Sequence, residues 1–218
     1  HAAYAGALQG LGLQLTVLEP LPAFPDAYFV EDVAVITPEV AVVTRPGAPE
    51  RRGEEQPMAP VLAHHRSLAS IEAPGTLDGG DVLIVERTVF VGLSNRTNQE
   101  GAAQLERALS PHGYKICTVP VEGGLHLKSS VNTLGGRQLL LSESLAGRPE
   151  LRSYPAIVVD RDEEYASNTL WINGSLLTPR GFPKTLRKLR QLGLSIVELD
   201  TSELRKMDGG LTCMSLRF

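Results

Sequence analysis

Apolar positions along the chain fall into short β-branched runs separated by stretches with helical spacing, and the order of the two repeats. Val33–Thr37 and Val40–Thr44 are two such runs joined at Pro38–Glu39, and a Pro/Gly loop leads to a helix predicted near Met58–Ser70. Val82–Glu86 and Thr88–Gly92 form a second hairpin, followed by a helix over Asn98–Leu109 with Thr97 or Asn98 as N-cap and a strand over Tyr114–Val119. A third pair, Leu125–Leu134 and Gln138–Ser142, is split by Gly135-Gly136-Arg137 and followed by a short polar helix and a strand at Ala156–Val159. In the fourth unit, Thr169–Ile172 and Ser175–Thr178 flank Asn173-Gly174, the strongest hairpin signal in the chain. Helix Pro183–Leu192 and strand Leu194–Leu199 complete it, and a capping-box pair, Asp200 and Glu203, opens a last helix before a strand at Leu211–Leu216.

The first strands start near Val33, Val82, Leu125, Thr169 and Leu211, at spacings of 49, 43, 44 and 42 residues. A period of this size points to an array of hairpin–helix–strand units, each too small to bury its own faces. A closed ring of five is the preferred geometry, and a single mixed α/β sheet with accidental spacing is the alternative. The chain opens at His1 inside a stretch that already reads as helix, so an amino-terminal segment is expected to precede it.

Composition narrows the function classes. The 218 residues are 42% hydrophobic and 21% charged, and 21 Lys+Arg against 25 Asp+Glu give a net charge of −4. That balance lacks the basic footprint of a nucleic-acid binder, and no apolar run is long enough to span a bilayer. Two cysteines, Cys117 and Cys213, are too few for a disulfide framework and have no zinc-site spacing, which suits a reducing, cytoplasmic setting. One catalytic domain over residues 1–218 is expected, with a small-molecule substrate and a homodimer left open.

Polar residues of unusual kind gather at the starts of the first strands: Asp26, Glu31 and Asp32, then Asp78 and Asp81, then His126, and finally Asp208 and Cys213. A thiol, an imidazole and several carboxylates make up the parts of a nucleophilic hydrolase, because a thiolate attacks, an imidazole moves protons and a carboxylate orients it. Singly, each has a plainer reading. Cys213 and Cys117 suit small buried hydrophobes, His126 a hydrogen-bonded core histidine, the Asp78-Gly79-Gly80-Asp81 segment a turn, and Arg51 and Arg96 solvated surface charges. Glu31 and Asp32 resist that treatment, since adjacent carboxylates in an apolar stretch are costly unless they meet a cation, and a cationic substrate would meet them.

Five segments in order, Phe29-Val30-Glu31-Asp32, Leu77-Asp78-Gly79-Gly80-Asp81, Ser94-Asn95-Arg96-Thr97-Asn98, Leu125-His126-Leu127-Lys128-Ser129 and Asp208-Gly209-Gly210-Leu211-Thr212-Cys213, resemble the dimethylarginine dimethylaminohydrolase family across nearly the whole chain. The resemblance implies a five-unit α/β propeller of the pentein type and hydrolysis of Nω-methylated arginine to citrulline, without metal or organic cofactor. It implies Cys213 as nucleophile, His126 as general acid and base, and Asp78 as its carboxylate partner. Asp26, Glu31 and Asp32 would clasp the guanidinium, Arg51 and Arg96 would hold the substrate α-carboxylate, and Asp208 with the Met207 carbonyl the α-amino end. The related arginine deiminases carry an acidic residue two positions after the histidine, where this chain has Lys128. One acidic acceptor fewer favours a methylated substrate over arginine. An arginine deiminase-like enzyme and a non-catalytic binder of arginine-like cations are the alternatives.

Overall fold

The β-branched runs become strands because each hairpin offers one outer edge on which a third strand can pair, and this happens four times in a computed structural model that describes residues 1–218. After helix α1 (Ala2–Gly10), the first repeat holds β1 (Ala34–Ile36), β2 (Val40–Val43), α2 (Met58–Ala63) and β3 (Ser67–Ser70). The second holds β4 (Val82–Val85), β5 (Thr88–Leu93), α3 (Gln99–Leu109) and β6 (Lys115–Pro120). The third holds β7 (Val131–Thr133), β8 (Leu139–Ser142) and β9 (Ala156–Val159). The fourth holds β10 (Leu170–Ile172), β11 (Ser175–Pro179), α4 (Pro183–Arg190) and β12 (Ser195–Leu199), with α5 (Ser202–Arg205) behind it. In every repeat the first two strands are antiparallel and the third runs parallel to the second.

The chain forms two compact units, one of Pro20–Lys128 with Cys213–Phe218, the other of His1–Glu19 with Ser129–Thr212. The first owns the first two repeats, packed around Val42, Leu77, Val89, Val91, Leu105 and Leu109. Its helix α3 shows why these residues fold as they do. The Asn98 side chain accepts the Gly101 N–H at 2.8 Å, a cap worth about 1 kcal/mol, while Leu105 and Leu109 sit one turn apart on the buried face, each contributing about 2 kcal/mol. The second unit owns the last two repeats, with Leu140, Val159, Leu176 and Leu189 in its core. Its β10–β11 hairpin turns on Asn173 and Gly174 with φ of 46° and 81°, the left-handed pair that a two-residue hairpin needs.

A single-turn 3₁₀ segment or a short run of them stands before the first strand of each repeat: Val30–Val33, Gly79–Asp81, Leu127–Ser129 and Arg161–Ser167. The first three of these turns carry or adjoin the polar residues singled out above.

Four elements differ from expectation. The helix predicted to Ser70 stops at Ala63, and Ser67–Ser70 becomes β3, because pairing with the open edge of β2 outweighs local helical spacing. The strand predicted from Leu125 begins only at Val131, because Leu127–Ser129 is the 3₁₀ turn. The short polar helix of the third repeat is a 3₁₀ turn, Glu143–Leu145. Residues 211–216 form turns and extended chain rather than a strand, since no neighbouring strand pairs with them. No helix is long and apolar enough to cross a membrane.

Candidate active site

The turn at Val30–Val33 buries two successive carboxylates and sends them to different partners. Asp32 accepts the Gly80 N–H at Oδ1 (2.9 Å) and the Arg51 Nη1 donor at Oδ2 (2.6 Å), and its carbonyl accepts the Thr44 hydroxyl at 2.6 Å. Glu31 Oε1 accepts from Lys128 Nζ at 2.7 Å and from Arg217 Nη2 at 3.3 Å. Its own N–H donates to the Cys213 carbonyl at 3.0 Å, which fixes the backbone of the thiol residue on this turn.

The Asp78–Asp81 turn supplies the rest of the acid. Asp78 is fully buried; its Oδ1 accepts the Gly47 N–H at 2.8 Å, and its Oδ2 lies 2.9 Å from His126 Nε2. The same imidazole nitrogen is 3.8 Å from Asp32 Oδ1. Asp81 turns away to brace the frame, accepting the Ser94 hydroxyl at 2.6 Å and the Leu127 N–H at 2.9 Å. Gly80 has no room for a side chain, because a Cβ there would lie 2.7 Å from both Asp32 Oδ1 and His126 Nδ1.

These contacts set the proton affinities. Burial pushes the His126 imidazolium down, but Asp32, Asp78 and Asp81 outweigh it and hold its pKa up to about 9. Burial likewise pushes the Asp32 carboxyl up, and His126, Arg51 and the Gly80 N–H together bring it below the usual carboxylate range. Asp81 moves the other way: burial dominates and raises it, with His126 and its hydrogen-bond donors offsetting only part. The site thus holds a cationic imidazole beside the Asp32 and Asp78 side chains.

The two arginines differ. Arg51 is buried, with Nε and Nη2 on Glu54 at 2.7–3.2 Å, Nη1 on Asp32, and Nη2 also reaching the Phe29 carbonyl at 3.2 Å and the Asp26 carbonyl at 3.4 Å. Its guanidinium, expected to hold a substrate carboxylate, faces Asp32 and Glu54 in the structure, with a single bond, to Asp32, at Nη1. Arg96 is half-buried and its guanidinium has no hydrogen bond or ion pair within the chain, while its backbone packs against Gly47 and bonds Ser94. The cations that face Glu31 and Asp32 within the chain are Lys128, Arg217, Arg51 and His126. Asp26 enters through its carbonyl and its charge, which, after burial, helps raise the Tyr28 hydroxyl. Met207 and Asp208 belong to the other compact unit, where Met207 is exposed and Asp208 adopts a left-handed φ of 56°.

The arginine deiminase family pattern matches residues 6–123. N(G),N(G)-dimethylarginine dimethylaminohydrolase of Pseudomonas aeruginosa is 40% identical over 220 residues, covering 100% of this chain and 87% of that protein. The solved structure of the Pseudomonas aeruginosa enzyme, a cysteine-to-serine mutant complexed with citrulline, superposes with a TM-score of 0.97 over 100% of this chain and 86% of that one, at 40% identity. This chain belongs to the dimethylarginine dimethylaminohydrolase family. A further structure of a dimethylarginine dimethylaminohydrolase, a histidine-to-glycine variant, is an adduct with S-methyl-L-thiocitrulline; it matches with a TM-score of 0.97 and 40% identity over 100% of this chain and 87% of that one. The fold class is accordingly the pentein-type α/β propeller, with four three-stranded repeats formed within this chain.

Three polar residues of this family member make contacts that their sequence neighbourhood does not mark. Glu54 sits in the run Arg51-Arg52-Gly53-Glu54-Glu55, which looks like solvated surface, yet it is buried against Arg51; only the i,i+3 spacing of opposite charges hinted at it. Thr97, weighed as a helix cap, instead accepts the Asp78 N–H on Oγ1 at 3.1 Å. Lys128 was read for the acid it replaces rather than for the acid it meets. Candidate metal-ligand atoms of Asp32, Asp78 and His126 lie within 4.8 Å of one another. All four carboxylate oxygens already face a donor, Gly80, Arg51, Gly47 or His126, so a metal ion would have to displace those bonds.

Proposed function

We propose that this chain hydrolyses Nω-methylated L-arginine, as asymmetric dimethylarginine or monomethylarginine, to L-citrulline and dimethylamine or methylamine, with residues 1–218 acting as one catalytic domain. The observation that carries the reading is the His126 imidazolium, held cationic at neutral pH against Asp78 and Asp32 in a member of this family. In the proposed reaction the Cys213 thiolate attacks the guanidinium carbon, and His126 gives its proton to the departing amine. A cationic thiouronium adduct remains. Neutral His126 then takes a proton from water as the oxygen bonds to that carbon, and the tetrahedral intermediate collapses, breaking the C–S bond and releasing citrulline. Asp78 and Asp32 keep His126 protonated, so the acid step starts from the proton-bearing form, and the same raised pKa makes it a stronger base once neutral. Asp32, Asp26 and Glu31 supply the negative field around the cationic group, and Arg96 the contact to the α-carboxylate.

Two cysteines outside any disulfide support a cytoplasmic setting. The test is to incubate the protein separately with asymmetric dimethylarginine, monomethylarginine and arginine and to measure citrulline, with Cys213→Ser as the control. Citrulline from the methylated substrates, lost in Cys213→Ser and largely kept in Cys117→Ser, supports the reading. Tight binding without citrulline overturns it in favour of a binder, and equal kcat/KM for arginine and dimethylarginine favours a deiminase.

A further inference from the structure

Three repeats carry a candidate residue at the turn before their first strand, and the fourth carries none from sequence. The structure fills that place with Asn168, which directly follows the 3₁₀ run Arg161–Ser167 and is buried. Its side chain holds Thr212 at both ends: Oδ1 accepts the Thr212 N–H at 3.1 Å, and Nδ2 donates to Thr212 Oγ1 at 3.2 Å. Thr212 is itself buried and is the residue before Cys213.

The surrounding segment is tied at every other step. Tyr165 Oη donates to the Gly209 carbonyl and Tyr4 Oη to the Leu211 carbonyl, each at 2.8 Å. Gly210 exists for the same reason: a Cβ there would run into the Asn168 amide group. Behind Asn168, Asn132 Nδ2 donates to the Ser167 carbonyl at 2.9 Å and steadies the turn from which the amide projects. All of these groups lie within one compact unit, and the peptide they fix is the one that leads into Cys213.

We propose that Asn168 is a positioning residue for the reaction, gripping Thr212 by backbone and side chain so that the peptide entering Cys213 has one direction. This rests on the reading of Cys213 as nucleophile. Attack on a planar guanidinium carbon needs the sulfur on a narrow approach line, and a displacement of about 1 Å is enough to cost on the order of a hundredfold in rate. The role proposed for Asn168 runs through Thr212, so its loss should lower kcat and leave ground-state binding alone.

The experiment compares Asn168→Ala, Asn168→Asp and Thr212→Ala with the unmodified protein on dimethylarginine, alongside alkylation of Cys213 by iodoacetamide followed by intact mass. For Asn168→Ala we expect kcat lower by about ten- to a hundredfold with KM within about twofold and the alkylation rate little changed, since an untethered reagent needs no fixed approach line. Asn168→Asp keeps the acceptor for the Thr212 N–H and lets the Thr212 hydroxyl donate in its turn, so it should recover most of kcat. Should Asn168→Ala fail to fold, Thr212→Ala removes one of the two bonds and should lower kcat about three- to tenfold at constant KM. Full kcat in a folded Asn168→Ala or Thr212→Ala overturns the proposal. So does a fall in kcat matched by faster alkylation, which marks local unfolding, or an aspartate variant as poor as the alanine one. Turnover in Cys213→Ser would instead sink the nucleophile reading itself, which separates the two failures.

Discussion

Arg51 and Arg96 stand on two loops that both brace the buried Asp78, and one guanidinium is bound into buried acids where the other makes no bond within the chain. The Arg51 loop reaches Asp78 through the Gly47 N–H, and the Arg96 loop reaches it through the Thr97 hydroxyl. Arg51 spends its donors on Asp32, Glu54 and two carbonyls. Arg96 spends none of its guanidinium donors within the chain and keeps partial exposure. Two like residues on loops that brace one carboxylate therefore differ: one guanidinium neutralises buried acids, and the other makes no bond within the chain. Which is which follows from burial and from the count of buried anions within reach, not from residue type.

The largest effect should come from breaking the bound side. Arg51→Ala leaves Asp32 and Glu54 as buried carboxylates without their main cation, and removing one partner of such a set costs about 3–5 kcal/mol of stability. A fall in the urea midpoint with unchanged slope would measure it. Arg51→Lys should recover little, because one ammonium cannot reach both carboxylates and the carbonyls at once. A folded Arg51→Ala of ordinary stability with only KM raised would return Arg51 to the carboxylate clamp assigned from sequence.

Next in size is the proton on His126. With a pKa raised from 6.5 to about 9 in the folded protein, the imidazolium contributes about 3 kcal/mol of stability. The sign is that of a raised group: the contribution is fully present below about pH 6.5 and is lost as pH rises through about 9. Asp32, with its lowered pKa, adds stability at pH above its unfolded value and loses it on acidification. An NMR titration of the His126 ring should therefore show a midpoint near 9, moved toward 6.5 in Asp32→Asn because one of its two closest anions is gone. A midpoint of 6.5 in the unmodified protein would contradict the electrostatic picture. His126→Gln should slow turnover by about a hundred- to ten-thousandfold, the scale of a positioned acid and base.

The Arg96 side should give a cleaner but smaller response. Arg96→Ala removes a charged contact to a group remote from the scissile carbon, so KM should rise about ten- to a hundredfold with kcat nearly constant. A substrate analogue without the α-carboxylate should show no difference between the two proteins. Loss of kcat alone would place Arg96 near the reacting atoms.

The legibility of these two loops differed for a physical reason. The periodicity of first strands and the Asn173-Gly174 turn are local signals, so the repeat order could be read before any contact was known. The five polar segments could be read too, since acids, glycines and a histidine before strands are improbable without a use. The directions of their side chains could not. Glu54, Thr97 and Asn168 act through partners 3, 19 and 44 residues away, as ordinary polar residues with no local mark. The third strand of the first repeat was lost for a similar reason: Ser67–Ser70 has little strand character of its own and pairs only because β2 offers an edge.

The smallest predicted effect concerns Lys128, which the comparison places with Arg51. If Lys128 shaped selectivity by withholding an acidic acceptor from arginine, Lys128→Asp should narrow the preference for dimethylarginine by about 1–3 kcal/mol, one charged hydrogen bond. In the structure its ammonium is 2.7 Å from buried Glu31, whose N–H in turn holds the Cys213 carbonyl. An aspartate would then set a second carboxylate near Glu31 and leave the partly exposed Arg217, at 3.3 Å, to answer it. Lys128→Met removes the pair without adding charge, so the two variants together separate the effects. Lys128→Met should lose about 1–3 kcal/mol of stability, with Arg217 limiting the damage, while the ratio of kcat/KM for dimethylarginine and arginine moves less than about threefold. Lys128→Asp should lose more stability and again leave that ratio nearly in place. A tenfold narrowing in Lys128→Asp, with stability intact, would show that the cation governs which substrate nitrogen is accepted and that its bond to Glu31 is secondary.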